Sequence, residues 1–336
     1  MATLKDIARE TNLSIKSVSL ILNGGGRAAP ATRARVLKAA RRMDYAPNQA
    51  ARTLVSHKSR LLGAVFPYAT VSFFAYILSG LEHAAARLDY SLLLVDANTA
   101  PDGNSHGWLA LKRHKVDGLA MVPTPASAAC FRAFMARHPP PLVQIMNVDA
   151  SLGNHYVRVD NAGGVRLALE HLRDLGHSRI GLLSHDAVYG VTRERSGAFN
   201  AFLAEHALPN PPDAREDMPI AFDAGEAAAA RMLARRPELT ALFCCSDEAA
   251  LGAMRAVLRA GLRVPEDVSV VGFDDMPEST RQASHPLTTV AQPKQEVGVL
   301  AGEMLLAMVA GGAGRAEWLP AKLIVRATTG PARSGP

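Results

Sequence analysis

The chain has 336 residues, 48% apolar and 20% charged, with a formal net charge of +6. That composition excludes an intrinsically disordered chain and is long enough for two or three cores. The charge is uneven: residues 1–60 hold twelve Lys and Arg against three Asp and Glu, a net of +9, which leaves the rest at −3. A compact basic segment on a near-neutral body points to a polyanion held by one end, the alternative being a solvated basic face. The three cysteines, Cys130, Cys244 and Cys245, argue against a disulfide framework. The start, Met-Ala-Thr-Leu-Lys-Asp, has no signal-peptide core, and the longest apolar helix pattern, Val297 to Ala310, is interrupted by Glu303. A soluble cytoplasmic protein with no membrane partner is expected.

Taken in order, Thr3 is placed to N-cap a first helix over Leu4 to Glu10, with Leu4, Ile7 and Ala8 as its buried stripe. A turn follows, then a short helix capped by Ser14 and closed by Asn23-Gly24. Val18, Ile21 and Leu22 make its apolar face. The other face offers Ile15, Lys16, Ser19 and Leu20, a set suited to a DNA major groove. Gly24-Gly-Gly-Arg-Ala-Ala-Pro30 lacks the Gly-Lys-Ser/Thr ending of a phosphate loop. A third helix is expected from about Thr32 to Met43, with Val36, Leu37, Ala40 and Met43 inward and Arg33, Arg35, Lys38, Arg41 and Arg42 outward. After Tyr45-Ala-Pro47, the stretch Asn48 to Ser56 has helical propensity over only about two turns, marginal unless it docks on something.

The motifs Thr3-Leu-Lys-Asp-Ile-Ala, Ser17-Val-Ser, Leu22-Asn23, Thr32-Arg-Ala-Arg-Val, Tyr45-Ala-Pro-Asn and Ala51-Arg-Thr-Leu54 resemble the DNA-binding domain of the lactose/galactose repressor family. The resemblance continues through nearly the whole chain. It implies base contacts from Ile15, Lys16 and Leu20, with Ser14, Ser17 and Ser19 nearer the phosphates, and a DNA-facing set that also takes in Thr3, Asn23, Asn48 and Ala51. Leu54 holds the place of the family's minor-groove wedge, with Ala50 and Ala51 letting two hinge helices pack closely. Leu20 departs from an Arg frequent in the family, so a different base code is expected at that step.

From Leu61 the pattern changes to alternating strands and helices. Strands are expected at 62–66, 91–95, 118–122 and 142–145, with helices at 74–88 and 106–114. A second series follows: strands at 157–160, 180–184, 241–244 and 268–272, helices at 163–175, 193–206, 224–234 and 248–260. This alternation implies parallel, doubly wound sheets. Two such units suggest two lobes with a cleft between them. The resemblance implies an N-terminal all-α helix-turn-helix domain plus a two-lobed, periplasmic-binding-protein-like α/β effector domain. The expected divisions are a head over 1–46 and a hinge helix and linker over 47–60. A first lobe over 61–158 with about 290–317 and a second over 159–289 with about 318–330 complete the chain. On that reading a strand near Thr288–Val290 and a helix near Glu296–Val309 rejoin the first lobe, and Trp318 to Thr329 crosses back.

The family's effector positions map onto Phe73 and Phe74, Arg195 with Arg193 as a rival, Phe222, Asp160, Asp247 and Asp274. Where many members have Ile-Asp-Arg this chain has Ile145-Met-Asn147, and where many have Asn-Asp it has Ser246-Asp247. No metal-ligand cluster, nucleophile elbow or Ser-His-Asp constellation accompanies the carboxylates, so binding is expected rather than catalysis, with no cofactor and no metal. His171 and His177 flank a helix end and suit capping. The resemblance implies a repressor that binds a pseudo-palindromic double-stranded DNA operator and takes a small-molecule effector, a sugar or related metabolite. A homodimer or dimer of dimers is implied, and the absence of a leucine-heptad tail after Gly330 argues against a coiled-coil tetramer. The alternatives are a solute-binding protein or an enzyme using the same cleft.

Overall fold

The computed structural model describes residues 2–22, 25, 28–45, 58–67, 72–97, 106–135, 137–185, 190–277 and 285–333. The chain divides into two compact units, Met1–Ser59 and Arg60–Pro336. Among its described residues the first unit has three helices, α1 (Leu4–Thr11), α2 (Ile15–Leu22) and α3 (Pro30–Arg42). Thr3 and Asp6 form a capping box: the Asp6 amide donates to Thr3 Oγ1 and the Thr3 amide to Asp6 Oδ2 at 2.9 Å. Asn12 takes the left-handed conformation that ends α1, and the Ser17 amide donates to Ser14 Oγ at 3.1 Å to start α2. Pro30 opens α3, where its missing N–H is no loss. Ile7, Val18, Ile21 and Val36 are buried together with Ala8, Ala39 and Ala40. Leu37, expected inward, is 38% exposed; Ala39 is buried instead, because small residues let α3 approach the other two helices. The Asn23-Gly24 closure of α2 and the stretch 46–57 lie outside the described residues.

The second unit holds strands β1 (Leu61–Phe66), β2 (Ser91–Asp96), β3 (Gly118–Met121), β4 (Leu142–Ile145), β5 (Tyr156–Val159), β6 (Ile180–His185), β7 (Arg215–Met218), β8 (Ala241–Cys244), β9 (Ser269–Asp274), β10 (Thr288–Ala291), β11 (Ala316–Leu319) and β12 (Lys322–Ile324). Between them run α4 (Ser72–Ala86), α5 (His106–Arg113), α6 (Pro125–Met135), α7 (Asn161–Asp174), α8 (Gly190–Glu205), α9 (Phe222–Arg235), α10 (Asp247–Arg259) and α11 (Lys294–Val309). The strands form two six-stranded sheets, ordered β11-β5-β4-β3-β1-β2 and β12-β10-β9-β8-β6-β7. Pairing is parallel except for β12 on β10. Helix α6 and strand β7 have no counterpart in the sequence pattern read above.

The return to the first lobe differs from expectation. Strand β10 pairs with β9 and belongs to the second sheet, whereas β11, which contains Trp318, pairs with β5 in the first. Side-chain chemistry fixes this placement. Thr289 donates to the buried Asp247 carboxylate, and the Thr288 amide donates to Thr328 Oγ1 at 2.9 Å, both within the second lobe. Helix α11 does pack on the first lobe, against α4. The two backbones come so close that a Cβ on Gly298 would sit 1.9 Å from Ile77 O and one on Gly80 would sit 2.1 Å from Gln295 O. The chain therefore passes between lobes at 159–161, 291–294 and 319–322. His177 is buried between Thr240 Oγ1 and Gly330 O, at 2.9 and 3.0 Å, and ties the C-terminal segment to the second sheet.

Candidate nucleic-acid interface and effector cleft

In the first unit, α2 turns Val18 and Ile21 inward and leaves Ile15, Lys16 and Leu20 exposed. Ile15 is 44% exposed and Leu20 42%. Ser14 and Ser17 are engaged in the cap, their hydroxyl oxygens 2.9 Å apart, so one of their two protons lies between them. Ser19 is half-buried, and Thr3 is exposed with its hydroxyl donating to Asp6 at 2.7 Å. Lys5, Arg9, Lys16, Arg35, Lys38, Arg41 and Arg42 are all exposed on the same small unit. Of the DNA-facing residues expected from sequence, Asn23, Asn48, Ala51 and Leu54 lie outside the described residues.

In the second unit a buried polar cluster gathers at the C-terminal ends of the second sheet. That is where parallel sheets present loops and helix N-termini to a ligand. Arg195, on α8, is its centre. Its Nε donates to Asn161 Oδ1 at 2.8 Å, and Nη1 donates to Cys245 O at 2.7 Å and to Asp274 Oδ1 at 3.4 Å. The guanidinium lies 3.7 Å over the Phe273 ring. Asp274 ends β9 with φ +116° and Asp275 follows with φ +49°. Both conformations are unfavourable for a side-chain-bearing residue. Lys294 Nζ donates to the carbonyls of both, and Gln292 Nε2 donates to Asp274 Oδ1 at 2.6 Å. Burial raises the Asp274 carboxyl above its usual range, opposed mainly by Arg195.

Asp247, fully buried at the start of α10, accepts from the Met276 amide at 2.6 Å and from Thr289. Burial, reinforced by the Asp274 charge, pushes it up to about 7. The Lys294 ammonium lies 6.0 Å from the Phe73 ring centre and 5.7 Å from that of Tyr76, both on α4 of the first lobe. Phe74 stacks edge-on between Phe66 and Phe73 at 5.8 and 5.3 Å. A cavity of about 570 Å³ opens beside Tyr76, Asp275, Gln292 and Lys294.

The structure thus joins Arg195, Asp247 and Asp274, with Phe73 reached through Lys294. Others stand apart. Asp160 is exposed and caps α7 through the Gly163 amide at 2.8 Å, while its neighbour Asn161 turns inward. Arg193 is exposed. Phe222, half-buried at the start of α9, meets the Arg255 guanidinium at 5.5 Å.

Several residues of the cluster carry no sequence signal, since each acts through a partner distant in the chain. Asn161 Nδ2 donates to Glu194 Oε2 at 3.1 Å, and Glu194 also accepts from Arg158 of β5. Arg158 in turn donates to Met146 O at 3.1 Å and lies 4.6 Å over the half-exposed Trp318 ring. A continuous hydrogen-bonded chain, Arg158–Glu194–Asn161–Arg195–Asp274, therefore runs from the first sheet into the second lobe. Asn147 adds a second link, its Oδ1 accepting from the Val191 amide at 3.1 Å. Ser246 caps α10 through the Ala249 amide at 3.2 Å and meets His185 Nε2 at 3.0 Å. The other ring nitrogen faces Met218 O, which can only accept, so Nδ1 carries the proton and Nε2 accepts from Ser246. Cys244 and Cys245 are buried free thiols, and burial pushes Cys245 up to about 11.

Two family models match the chain: bacterial regulatory proteins of the lacI family over residues 3–48, and a periplasmic binding protein-like domain over residues 169–329. The HTH-type transcriptional repressor PurR of Aliivibrio salmonicida is 32% identical over 307 residues, covering 91% of this chain and 92% of that protein. The ribose operon repressor of Haemophilus influenzae is 30% identical over 91% of each chain. Among solved structures, the lac repressor dimer bound to operator and the anti-inducer ONPF superposes with a TM-score of 0.85 at 28% identity, covering 98% of this chain and 99% of that one. The complex of the transcriptional regulator CelR with cellobiose gives 0.73 at 25% identity, over 98% of this chain and 100% of that one. With a helix-turn-helix head, a two-lobed α/β body and relatives that span both, the chain belongs to the lacI family of bacterial regulatory proteins.

Proposed function

We propose that this DNA-binding transcriptional repressor reads its operator with Ile15, Lys16 and Leu20, and senses its effector with the cluster around Arg195 and Asp274. The protein works as a homodimer, so two heads meet a pseudo-palindromic operator. The effector is a polar metabolite of the sugar class, taken between the Phe73 and Tyr76 rings and the Arg195–Asp274 pair. It is bound and released unchanged, in the cytoplasm. The observation that carries this reading is the Arg158–Glu194–Asn161–Arg195–Asp274 chain. A ligand that competes for Arg195 or Asp274 perturbs a chain of hydrogen bonds whose far end, Arg158–Glu194, joins the two lobes, which gives it differential affinity for two lobe arrangements.

The test has two readouts on the full-length protein. Operator affinity should fall steeply and log-linearly with salt, because the exposed Lys and Arg side chains of the head displace counterions from phosphates. An affinity that is flat with salt overturns the DNA-facing assignment. A panel of sugars and related metabolites should then include one that shifts both the melting temperature and the operator affinity. Turnover of that compound by the protein overturns the binding role.

A further inference from the structure

We infer that α2 selects its operator chiefly by thymine C5-methyl groups, one facing Ile15 and another facing Leu20, with Lys16 as the polar reader between them. This rests on the reading of α2 as the DNA-facing helix and goes beyond it by naming what the helix reads.

The argument starts from the helical wheel. At about 100° per residue, the outward arc of α2 runs Ile15, Ser19, Lys16, Leu20 over about 140°, and the remaining arc carries Ser17, Ile21, Val18 and Leu22. Val18 and Ile21 are buried in the three-helix core, whereas the two aliphatic residues that bound the outward arc are 44% and 42% exposed. A single exposed leucine is ordinary. Two large aliphatic side chains flanking the one lysine of an eight-residue helix, on a unit of net charge +8, form an apolar pair set in a strongly cationic surface. That charge selects a polyanion over an apolar protein surface as the occupant.

Among base edges in the major groove, only thymine offers an apolar group; guanine, adenine and cytosine offer acceptors and donors. An aliphatic side chain pressed on those groups strips their water without replacing the hydrogen bond, which is unfavourable. Ile15 and Leu20 therefore favour thymine by contact and disfavour the other bases by desolvation. Of the nearby hydroxyls, Ser14 and Ser17 are engaged with each other and with the Ser17 amide, and Ser19, in the outward arc between Ile15 and Lys16, is half-buried. Ile15 and Leu20 lie five residues apart, about 7.5 Å along the helix axis, so they meet different base pairs. Lys16, a point charge with three donors, suits guanine O6 or N7.

The experiment begins by selecting a specific duplex from randomised DNA with the full-length protein. Each thymine of that duplex is then replaced singly by deoxyuridine, which removes only the methyl, and by 5-bromodeoxyuridine, which restores an apolar group of similar size. At two positions per half-site deoxyuridine should weaken binding about fourfold, the worth of one buried methyl, and 5-bromodeoxyuridine should restore it. Ile15→Ala should abolish the effect at one position and Leu20→Ala at the other. A specific duplex with no deoxyuridine-sensitive position overturns the inference while leaving the repressor function intact. So do alanine variants that keep both sensitivities. Failure to select any specific duplex overturns the repressor reading itself. If instead the exposed pair serves contact between copies, Ile15→Ala and Leu20→Ala will change the association state of the free protein and leave deoxyuridine sensitivity untouched, which also overturns the inference.

Discussion

The head and the cleft build function in opposite ways. On α2 the chemistry is local and exposed: three side chains within six residues face outward, and the helix that carries them is capped by a serine at its own start. In the cleft the chemistry is remote and buried. Arg195 reaches Asn161, Cys245 and Asp274, partners 34, 50 and 79 residues away. An exposed reader tolerates substitution in the free protein and shows its loss only on DNA. A buried pair is part of the fold, so its loss appears in stability before any ligand is added.

The sharpest way to break that contrast is Arg195→Met. The guanidinium side chain is 7% exposed and its partner Asp274 is 16% exposed. Removing it leaves a buried carboxylate without its cation, at a cost of about 3–5 kcal/mol. Thermal unfolding of the free protein should show a large drop, whereas Lys16→Ala should leave unfolding unchanged and weaken operator binding. Equal melting temperatures for the two variants would remove the distinction between the regions.

Next in size is the pH response of the second lobe. Asp247, pushed up to about 7, holds a proton in the folded state that the unfolded chain has already released near pH 4. Folded protein therefore binds the extra proton between those limits. The stability this group contributes is greatest at the acid end, falls as pH rises toward 7, and is level above. Asp247→Asn should remove that slope from melting temperature measured against pH, and an unchanged slope would assign it to another group.

Smaller again is Glu194→Gln, which weakens the bridge from Arg158 to Asn161 while keeping the shape of the side chain. Operator affinity without effector should change little. The effector's influence on it should shrink by about 0.5–2 kcal/mol, read as the ratio of operator dissociation constants with and without effector. An unaltered ratio would show that the chain of hydrogen bonds is only structural. The smallest effect is in the head: Thr3→Ala removes one capping hydrogen bond and should cost about 1 kcal/mol, visible in the unfolding of the head and absent from effector binding.

Sequence specifies this protein most directly where structure is local. Both caps of the head, Thr3 and Ser14, and the burial of Val18 and Ile21 follow from spacing and from backbone groups within one turn. Most of the parallel strands of both lobes were legible from their apolar runs, but the charged β7 (Arg215–Met218) was not. Sheet membership was not. Thr288–Ala291 has the same short pattern as its neighbours, and its pairing with β9, together with its hydroxyl bonds to Asp247 and Thr329, reveals which sheet it joins. Leu37 failed for a related reason, since an alanine-lined approach between helices cannot be read from the periodicity of one of them. Within the cleft, Arg195 and Asp274 stood out through family resemblance, but Glu194, Gln292 and Lys294 did not. Each looks like an ordinary surface residue until its partner is in place.

The sequence by itself therefore determined the outward face of α2, its charge and its N-cap, because every interaction involved lies within a few residues and depends on side-chain type and helical period alone. Only the tertiary structure decided that β10 belongs to the second sheet, that Asp160 is a cap while Asn161 enters the cluster, and that Arg158 reaches Arg195 through Glu194 and Asn161. Those outcomes depend on which distant groups satisfy a buried charge or hydroxyl once water is removed, and that competition is settled by packing rather than by position in the chain.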